Sequence, residues 1–117
     1  MEKRTDYCGL LSELHVGKDV SVCGWVQTKR DMGGVVFIDL KDREGTLQVV
    51  FDLSSMPAEQ FHIAENLKNQ YVISVGGKIR LRSEDTINPK ISTGTVELAA
   101  DRLELLSEAR ALPFQLE

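Results

Sequence analysis

Apolar side chains recur at every second position in three consecutive segments of the chain. The alternation gives residues 19–29, 35–41 and 46–52 one apolar face each, which is typical of strands that bury one side. Gly33-Gly34 follows the first segment and predicts a two-residue hairpin, because glycine adopts positive φ angles without steric cost. A polar turn at residues 42–45 follows the second. The pattern therefore predicts a meander of three strands.

The spacing of apolar residues becomes helical after the third strand. The predicted stripe comprises Phe61, Ala64 and Leu67. Ser54 or Ser55 can cap the start of this helix, Pro57 suits its first turn, and Asn69 suits its end.

Two further strands follow the predicted helix. Residues 71–82 form the fourth, in which Gly76-Gly77 predicts a bulge or sharp bend. A polar loop spans residues 83–93, and residues 95–106 alternate again as a fifth strand. Three meander strands, a helix and two more strands predict an all-β, five-stranded OB-fold barrel with one helix between strands 3 and 4. Another small β-barrel or a sandwich is the alternative.

Composition limits the chain to one globular domain. It has 117 residues, 42% hydrophobic and 27% charged, with a formal net charge of −4. The acidity is uneven, because residues 1–93 carry 12 basic and 13 acidic side chains, whereas residues 94–117 carry two basic and five acidic ones. A nearly neutral body with local cations remains compatible with a nucleic-acid site, since phosphate contacts depend on local charge.

The sequence shows no sign of a membrane or catalytic role. Its apolar runs are too short to cross a bilayer and its first residues lack a secretion signal, so we expect a cytoplasmic protein without membrane contact. Phosphate-binding glycine loops and HExxH or GxSxG motifs are absent from the sequence. His15 and His62 stand in unrelated contexts, and Cys8 and Cys23 are predicted to be small buried side chains. We therefore assign no catalytic residue to this chain.

Three acidic residues lie at or near the second predicted turn, and acidic clusters can bind metal ions. They are Asp39, Asp42 and Glu44. A charged turn in water explains them better than a metal site, so no metal ligand is predicted.

The strand alternation places a candidate binding face on strands 1 to 3. With the apolar positions inside the barrel, Phe37 and Gln48 point outward and Arg30 lies beside them at the end of the first strand. An exposed phenyl ring can stack on an unpaired base, and glutamine and arginine can hydrogen-bond to base edges or phosphates. The alternative is that Phe37 packs under a loop and Gln48 is an ordinary exposed strand residue.

Other outward residues admit two interpretations each. Met32 lies in the first hairpin turn and either touches a bound base or is an incidental surface residue. Arg80 and Arg82 share one face of strand 4, either as phosphate contacts or as a solvated strand end. Glu97 can accept hydrogen bonds from the N1 and N2 donors of guanine, or it is an exposed strand charge.

Several sequence blocks resemble one known family. They are Thr5-Asp6-Tyr7-Cys8-Gly9, Val22-Cys23-Gly24-Trp25-Val26, the run from Arg30-Asp31 through Phe37-Ile38-Asp39-Leu40 to Glu44-Gly45, and Gln48-Val49-Val50-Phe51-Asp52. Together they resemble the N-terminal anticodon-binding domain of bacterial aspartyl-tRNA synthetases, from about Thr5 to Pro113. Asparaginyl and lysyl enzymes share the central run in looser form.

The resemblance implies roles for individual residues. The implied RNA-binding residues are Arg30, Met32, Phe37, Gln48, Arg80, Asn88 and Glu97. Phe37 would stack on the central uracil, Arg30 and Gln48 would contact the second and third bases, and Glu97 would contact the first base, guanine or queuine. Arg80 and Asn88 would make further contacts to the anticodon loop. Met32 would lie beside the third base, where it bears on whether asparagine tRNA is also accepted.

The resemblance also implies a larger parent enzyme. Residues 1–112 would be the anticodon-binding domain, and residues 113–117 would begin a hinge to a catalytic domain that attaches aspartate to tRNA with ATP and Mg²⁺. That parent would dimerise through its catalytic domain, and the 117-residue chain alone would bind no cofactor and be non-catalytic. The alternatives are a stand-alone OB-fold module for single-stranded nucleic acid, or the equivalent domain of an asparaginyl or lysyl enzyme.

Overall fold

Five strands form a closed barrel in the computed structural model, which describes residues 4–108. The strands are β1 (Asp19–Asp31), β2 (Val35–Asp42), β3 (Gly45–Asp52), β4 (Val72–Leu81) and β5 (Val96–Ser107). Around the barrel their order is β1-β2-β3-β5-β4, in which β3 and β5 run parallel and all other neighbours antiparallel. This confirms the predicted five-stranded OB-fold. The predicted hinge at residues 113–117 lies outside the described residues.

The alternating apolar side chains fill the barrel as predicted. Every strand contributes fully buried residues, among them Val22, Ile38, Phe51, Ile73 and Leu98. Removing these side chains from water is the main favourable contribution to the fold. Phe61 and Ala64 from the helix and the following Leu67 join the same core, so the helix closes one side of the barrel interior.

The helix is shorter than the sequence suggested. Helix α1 spans Ala58–Glu65, with Pro57 at its N-cap and Asn66 at its C-cap. Ser54 does not cap it, because its main-chain N–H and its hydroxyl both donate to the Asp52 carboxylate in a preceding 3₁₀ turn. The prediction that the helix extends to Asn69 was wrong, since the chain leaves the helix at Asn66. None of the helices in residues 4–108 is long and apolar enough to cross a membrane.

The predicted glycine turns are confirmed. Gly33 and Gly34 have φ angles of 66° and 73°, a combination that most other residues avoid, and the Met32 N–H donates to the Val35 carbonyl across them. The β4–β5 register shifts between Gly76 and Gly77. A side chain on Gly77 would collide with the Ala99 carbonyl, so glycine allows the two strands to approach closely here.

Asp42 corrects the prediction of a solvated acidic turn. Only 1% of this residue is exposed. Its carboxylate accepts hydrogen bonds from the main-chain N–H of Cys8 at 2.6 Å and of Glu44 at 2.9 Å. These bonds offset the cost of removing the charge from water, and they fasten the 3₁₀ turn at Cys8–Leu10 to the β2–β3 turn.

Within residues 4–108, no group of three or more His, Cys, Asp or Glu side chains is arranged to hold a metal ion. Cys8 and Cys23 are buried, as predicted.

Candidate nucleic-acid interface

A line of polar side chains crosses the outer surface of the barrel. Strand register aligns these residues as Thr28, Asp39, Gln48, Glu97 and Arg80, one from each strand in barrel order. Hydrogen bonds connect them in three places. The Thr28 hydroxyl donates to Asp39 at 2.5 Å, Gln48 Nε2 to Glu97 Oε1 at 2.8 Å, and Arg80 Nε to Glu97 Oε2 at 2.7 Å. We call these five residues the polar row.

The centre of the polar row is more enclosed than the sequence suggested. Gln48 is 4% exposed and Glu97 is 7% exposed, although neither belongs to the apolar core of the barrel. Both therefore point outward but are covered by their neighbours, and the alternative of ordinary exposed strand residues was wrong for both. Arg80 remains exposed, so the row is open at its β4 end.

The contact between Gln48 and Glu97 fixes which part of the amide is available to a ligand. An ionised carboxylate only accepts hydrogen bonds, so it holds the NH₂ group of Gln48. The amide oxygen makes no hydrogen bond of its own within the described part of the chain, and it is not among the polar atoms sealed from solvent without a partner. Gln48 thus presents an acceptor to a ligand. Arg80 holds the second carboxylate oxygen and keeps Glu97 in place.

An aromatic and a cationic side chain lie beside the polar row. Arg30 and Phe37 are register partners on β1 and β2, and the Arg30 guanidinium carbon is 5.2 Å from the centroid of the Phe37 ring. This is a cation–π contact. Phe37 and Asp39 are two residues apart on β2 and share its outer face. Because Phe37 is half-buried and Arg30 is exposed, the ring is supported by the protein and retains surface for a ligand.

Met32 and Asn88 stand apart from these contacts. Met32 is 65% exposed in the β1–β2 turn, at the same end of β1 as Arg30. Asn88 is half-buried in the loop of residues 83–94, where its side-chain oxygen accepts from the Lys90 N–H at 3.0 Å. Neither forms a hydrogen bond or ion pair with the other five predicted site residues within residues 4–108. The structure therefore joins Gln48, Glu97 and Arg80 in one group, and Arg30 and Phe37 in another.

Arg82 differs most from its predicted role. The sequence predicts that Arg82 shares one face of strand 4 with Arg80, either as a phosphate contact or at a solvated strand end, but Arg82 is only 8% exposed. Burial lowers the pKa of its guanidinium, an effect opposed by the nearby carboxylates of Asp39 and Glu97. Alternation correctly placed Arg82 outside the apolar core, but no sequence pattern indicated that it would be covered. Asp39 also belongs to the row without having been assigned a binding role.

The charges of the polar row and of the two arginines beside it are nearly balanced. Arg30, Arg80 and Arg82 stand against Asp39 and Glu97, which leaves one net positive charge from three cations and two anions. A surface with so little excess charge favours recognition of base edges over strong, salt-sensitive attraction of phosphates.

Comparison with known families identifies the domain. The family model described as "tRNA_anti-codon: OB-fold nucleic acid binding domain" matches residues 20–106. The chain belongs to this family. The matched segment includes all five strands apart from the first and last residues, and it contains all seven predicted site residues.

Two similar curated proteins are longer than this chain. The chain is 52% identical over 115 residues to an aspartate–tRNA(Asp/Asn) ligase of Aquifex aeolicus, covering 98% of this chain and 19% of that protein. It is 45% identical over 117 residues to an aspartate–tRNA ligase of Macrococcus caseolyticus, covering all of this chain and 20% of that protein. The chain thus spans about a fifth of the length of these relatives. The resemblance to aspartyl enzymes is confirmed.

Structural comparison supports the fold. An asparaginyl-tRNA synthetase from Pyrococcus horikoshii superposes with a TM-score of 0.75 and 24% identity, covering all of this chain and 26% of that structure. At this identity the likeness concerns the fold alone, and aspartyl and asparaginyl enzymes must be separated by their sites.

Proposed function

We propose that this chain is the anticodon-binding domain of an aspartyl-tRNA synthetase and that its outer face reads the anticodon GUC, or QUC where the first base is queuine. The observation that carries the proposal is the adjacency of two pairs on one face of an OB barrel. Arg30 lies over the Phe37 ring, and Gln48 is bonded to Glu97 in the neighbouring polar row. One pair offers a stacking surface and the other offers acceptors for base N–H groups.

The two pairs suit different kinds of contact with splayed-out bases, one by stacking and the other by hydrogen bonds to base edges. The Phe37 ring would stack on the central uracil, and Arg30 would donate to a base acceptor or a phosphate. The oriented amide oxygen of Gln48 would accept a base donor such as N3–H of uracil. Glu97 would accept from N1 and N2 of guanine with the lone pairs that Gln48 and Arg80 leave unused. Arg80, Met32 and Asn88 would border this site.

The activity of the parent enzyme forms part of the proposal. The catalytic domain would lie in the four fifths of the relatives that this chain does not cover, and would attach aspartate to tRNA with ATP and Mg²⁺. We assign dimerisation to that domain and a cytoplasmic location to the enzyme. This chain would contribute recognition and no chemical step.

The test is binding to anticodon stem-loops of identical stem, titrated at one salt concentration. We expect the GUC loop to bind this chain more tightly than the GCC loop, because cytosine lacks the N3–H donor. Preference for GUU or UUU would instead favour an asparaginyl or lysyl domain, and equal affinity for all loops would indicate a generic single-strand binder. Lys68→Ala, an exposed change just beyond α1, serves as the matched control and should leave the order of affinities unchanged.

A further inference from the structure

The Arg82 side chain connects the start of β5 to the loop of residues 83–94 by donating to a main-chain carbonyl in each. It follows β4 directly, and its Nε donates to the Val96 carbonyl at the start of β5 at 3.0 Å. Its Nη1 donates to the Thr86 carbonyl in the loop of residues 83–94, also at 3.0 Å. The planar guanidinium therefore ties the loop to the barrel at two fixed angles, which a lysine could not reproduce.

The surroundings of Arg82 argue against a direct phosphate contact. Its third nitrogen, Nη2, is sealed from solvent and has no hydrogen-bond partner among the described residues. A ligand could reach it only if the residues around it moved. Asp39 and Glu97 lie close enough to stabilise the charge, whereas Arg30 opposes it. A buried charge with one unpaired nitrogen is costly, whereas the other two nitrogens of Arg82 each hold a main-chain carbonyl.

The loop that Arg82 holds carries one of the proposed RNA contacts. Asn88 lies two residues beyond the Thr86 carbonyl, and its N–H donates to the Gly94 carbonyl at 2.9 Å. The far end of the loop is attached to β3, because the Thr93 hydroxyl donates to the Thr46 carbonyl. Arg82 and Thr93 therefore anchor the two ends of the segment that presents Asn88.

We propose that Arg82 is a positioning residue, which holds the loop of residues 83–94 against β5 so that Asn88 is placed for the anticodon. The inference rests on the proposed function for the ligand, but the anchoring of the loop is independent of it. Arg82 touches no base in this arrangement and acts through the loop.

The first test measures the anchoring without RNA. In Arg82→Met, we expect the Asn88 and Gly94 amides, both hydrogen-bonded within the loop, to exchange with solvent about tenfold faster. The Ile79 amide, bonded to the Lys18 carbonyl on the opposite side of β4, is the internal control and should keep its rate. Unchanged loop rates would overturn the proposal. Arg82→Lys is a second variant, which keeps the charge and replaces the methionine variant if that chain folds poorly. We expect the Asn88 and Gly94 amides to exchange faster in it as well.

The second test asks whether Arg82 acts through Asn88. We expect Arg82→Met to weaken binding of the GUC stem-loop about tenfold in the wild-type background but much less when combined with Asn88→Ala, because the contact it places is already lost. Combination with Phe37→Ala should be additive. Additive losses with Asn88→Ala would overturn the positioning role even with faster exchange in the loop. Equal binding of all stem-loops by the unmodified chain would contradict the proposed function, while the exchange rates would still decide the anchoring.

Discussion

Gln48 and Glu97 meet across the parallel β3–β5 pair, where the amide nitrogen of Gln48 donates to Glu97 Oε1 at 2.8 Å. The two residues are 49 positions apart in the chain. Because the carboxylate can only accept, it determines the direction of the amide and hence the hydrogen-bonding group that Gln48 presents. In the proposed site, the hydrogen-bonding group that Gln48 presents thus depends on its contact with Glu97 as well as on Gln48 itself.

Replacing Glu97 by glutamine should weaken base selectivity more than stability. The amide at position 97 can donate or accept, so Gln48 would be free to turn and present either its oxygen or its NH₂ group. We expect the preference for GUC over GCC stem-loops to fall about tenfold, the equivalent of one hydrogen bond. Titration of both loops against the Glu97→Gln and wild-type chains measures this change.

The matched control for this change is Glu59→Gln, which removes an exposed carboxylate on α1. It should leave the selectivity ratio as it is. A Glu97→Gln chain that discriminates as well as wild type would show that Glu97 does not orient Gln48.

Removing the Phe37 ring should reduce binding of every stem-loop that places a base on it. The ring is half-buried against the barrel beside Arg30, so it is held ready for stacking. Stacking of one base on an aromatic side chain contributes about 1–3 kcal/mol. We therefore expect Phe37→Ala to raise the Kd for the GUC loop by about 5- to 150-fold, measured by the same titration.

Phe37→Tyr keeps the aromatic face and serves as its control. It should bind within a few-fold of wild type. Should Phe37→Ala bind as tightly as wild type, the ring would be a packing residue only.

The sequence predicted the barrel well because side-chain direction in a strand follows from the period of two. Val22, Ile38 and Leu98 are buried for this reason alone, and their positions required no knowledge of distant contacts. The burial of polar side chains on the outer face does not follow from any local sequence pattern. Gln48 and Glu97 are enclosed only because β3 and β5, far apart in sequence, lie side by side.

The burial of two charged residues could not be predicted from the sequence either. Arg82 is buried where the loop of residues 83–94 meets the start of β5, and Asp42 is buried where the 3₁₀ turn at Cys8–Leu10 meets the β2–β3 turn. In both cases main-chain groups supply the hydrogen bonds that make burial of a charge tolerable. The sequence does not show whether a charged side chain in a turn or loop forms its hydrogen bonds with water or with the main chain. The burial of Arg82 and Asp42 therefore could not be predicted from it.

Asp42→Asn should lower the free energy of unfolding by about 1–3 kcal/mol. Each carboxylate oxygen accepts one main-chain N–H, from Cys8 on one side and Glu44 on the other. Asparagine has one acceptor oxygen, so its NH₂ group would face one of these donors and leave it unpaired in a buried position. Urea unfolding of the two chains gives the difference. Glu44→Gln, an exposed change in the same turn, should cost much less, and equal losses for the two variants would contradict a structural role for Asp42.

The pH dependence of stability should report on the buried thiol of Cys8. Burial, reinforced by the Asp42 carboxylate, raises the pKa of this thiol well above its usual value. The folded chain therefore keeps the proton at a pH where the unfolded chain releases it. Above about pH 8.5, the usual range for a thiol, the unfolded state binds fewer protons, so the free energy of unfolding falls as pH rises. The limiting slope is about 1.4 kcal/mol per pH unit for one thiol.

Urea unfolding between about pH 7.5 and 10.5, across the usual thiol pKa, compares wild type with Cys8→Ala. The alanine chain will be less stable near neutral pH because it leaves a cavity, so the informative quantity is the slope. Burial also raises the pKa of Cys23, and the hydrogen bond to Glu108 raises that of Tyr71, so some decline with pH should remain in both chains. The wild-type curve should nevertheless fall more steeply, and the two curves should converge as pH increases. Parallel curves would mean that the Cys8 thiol ionises equally easily in the folded and unfolded chain, contrary to its burial beside Asp42.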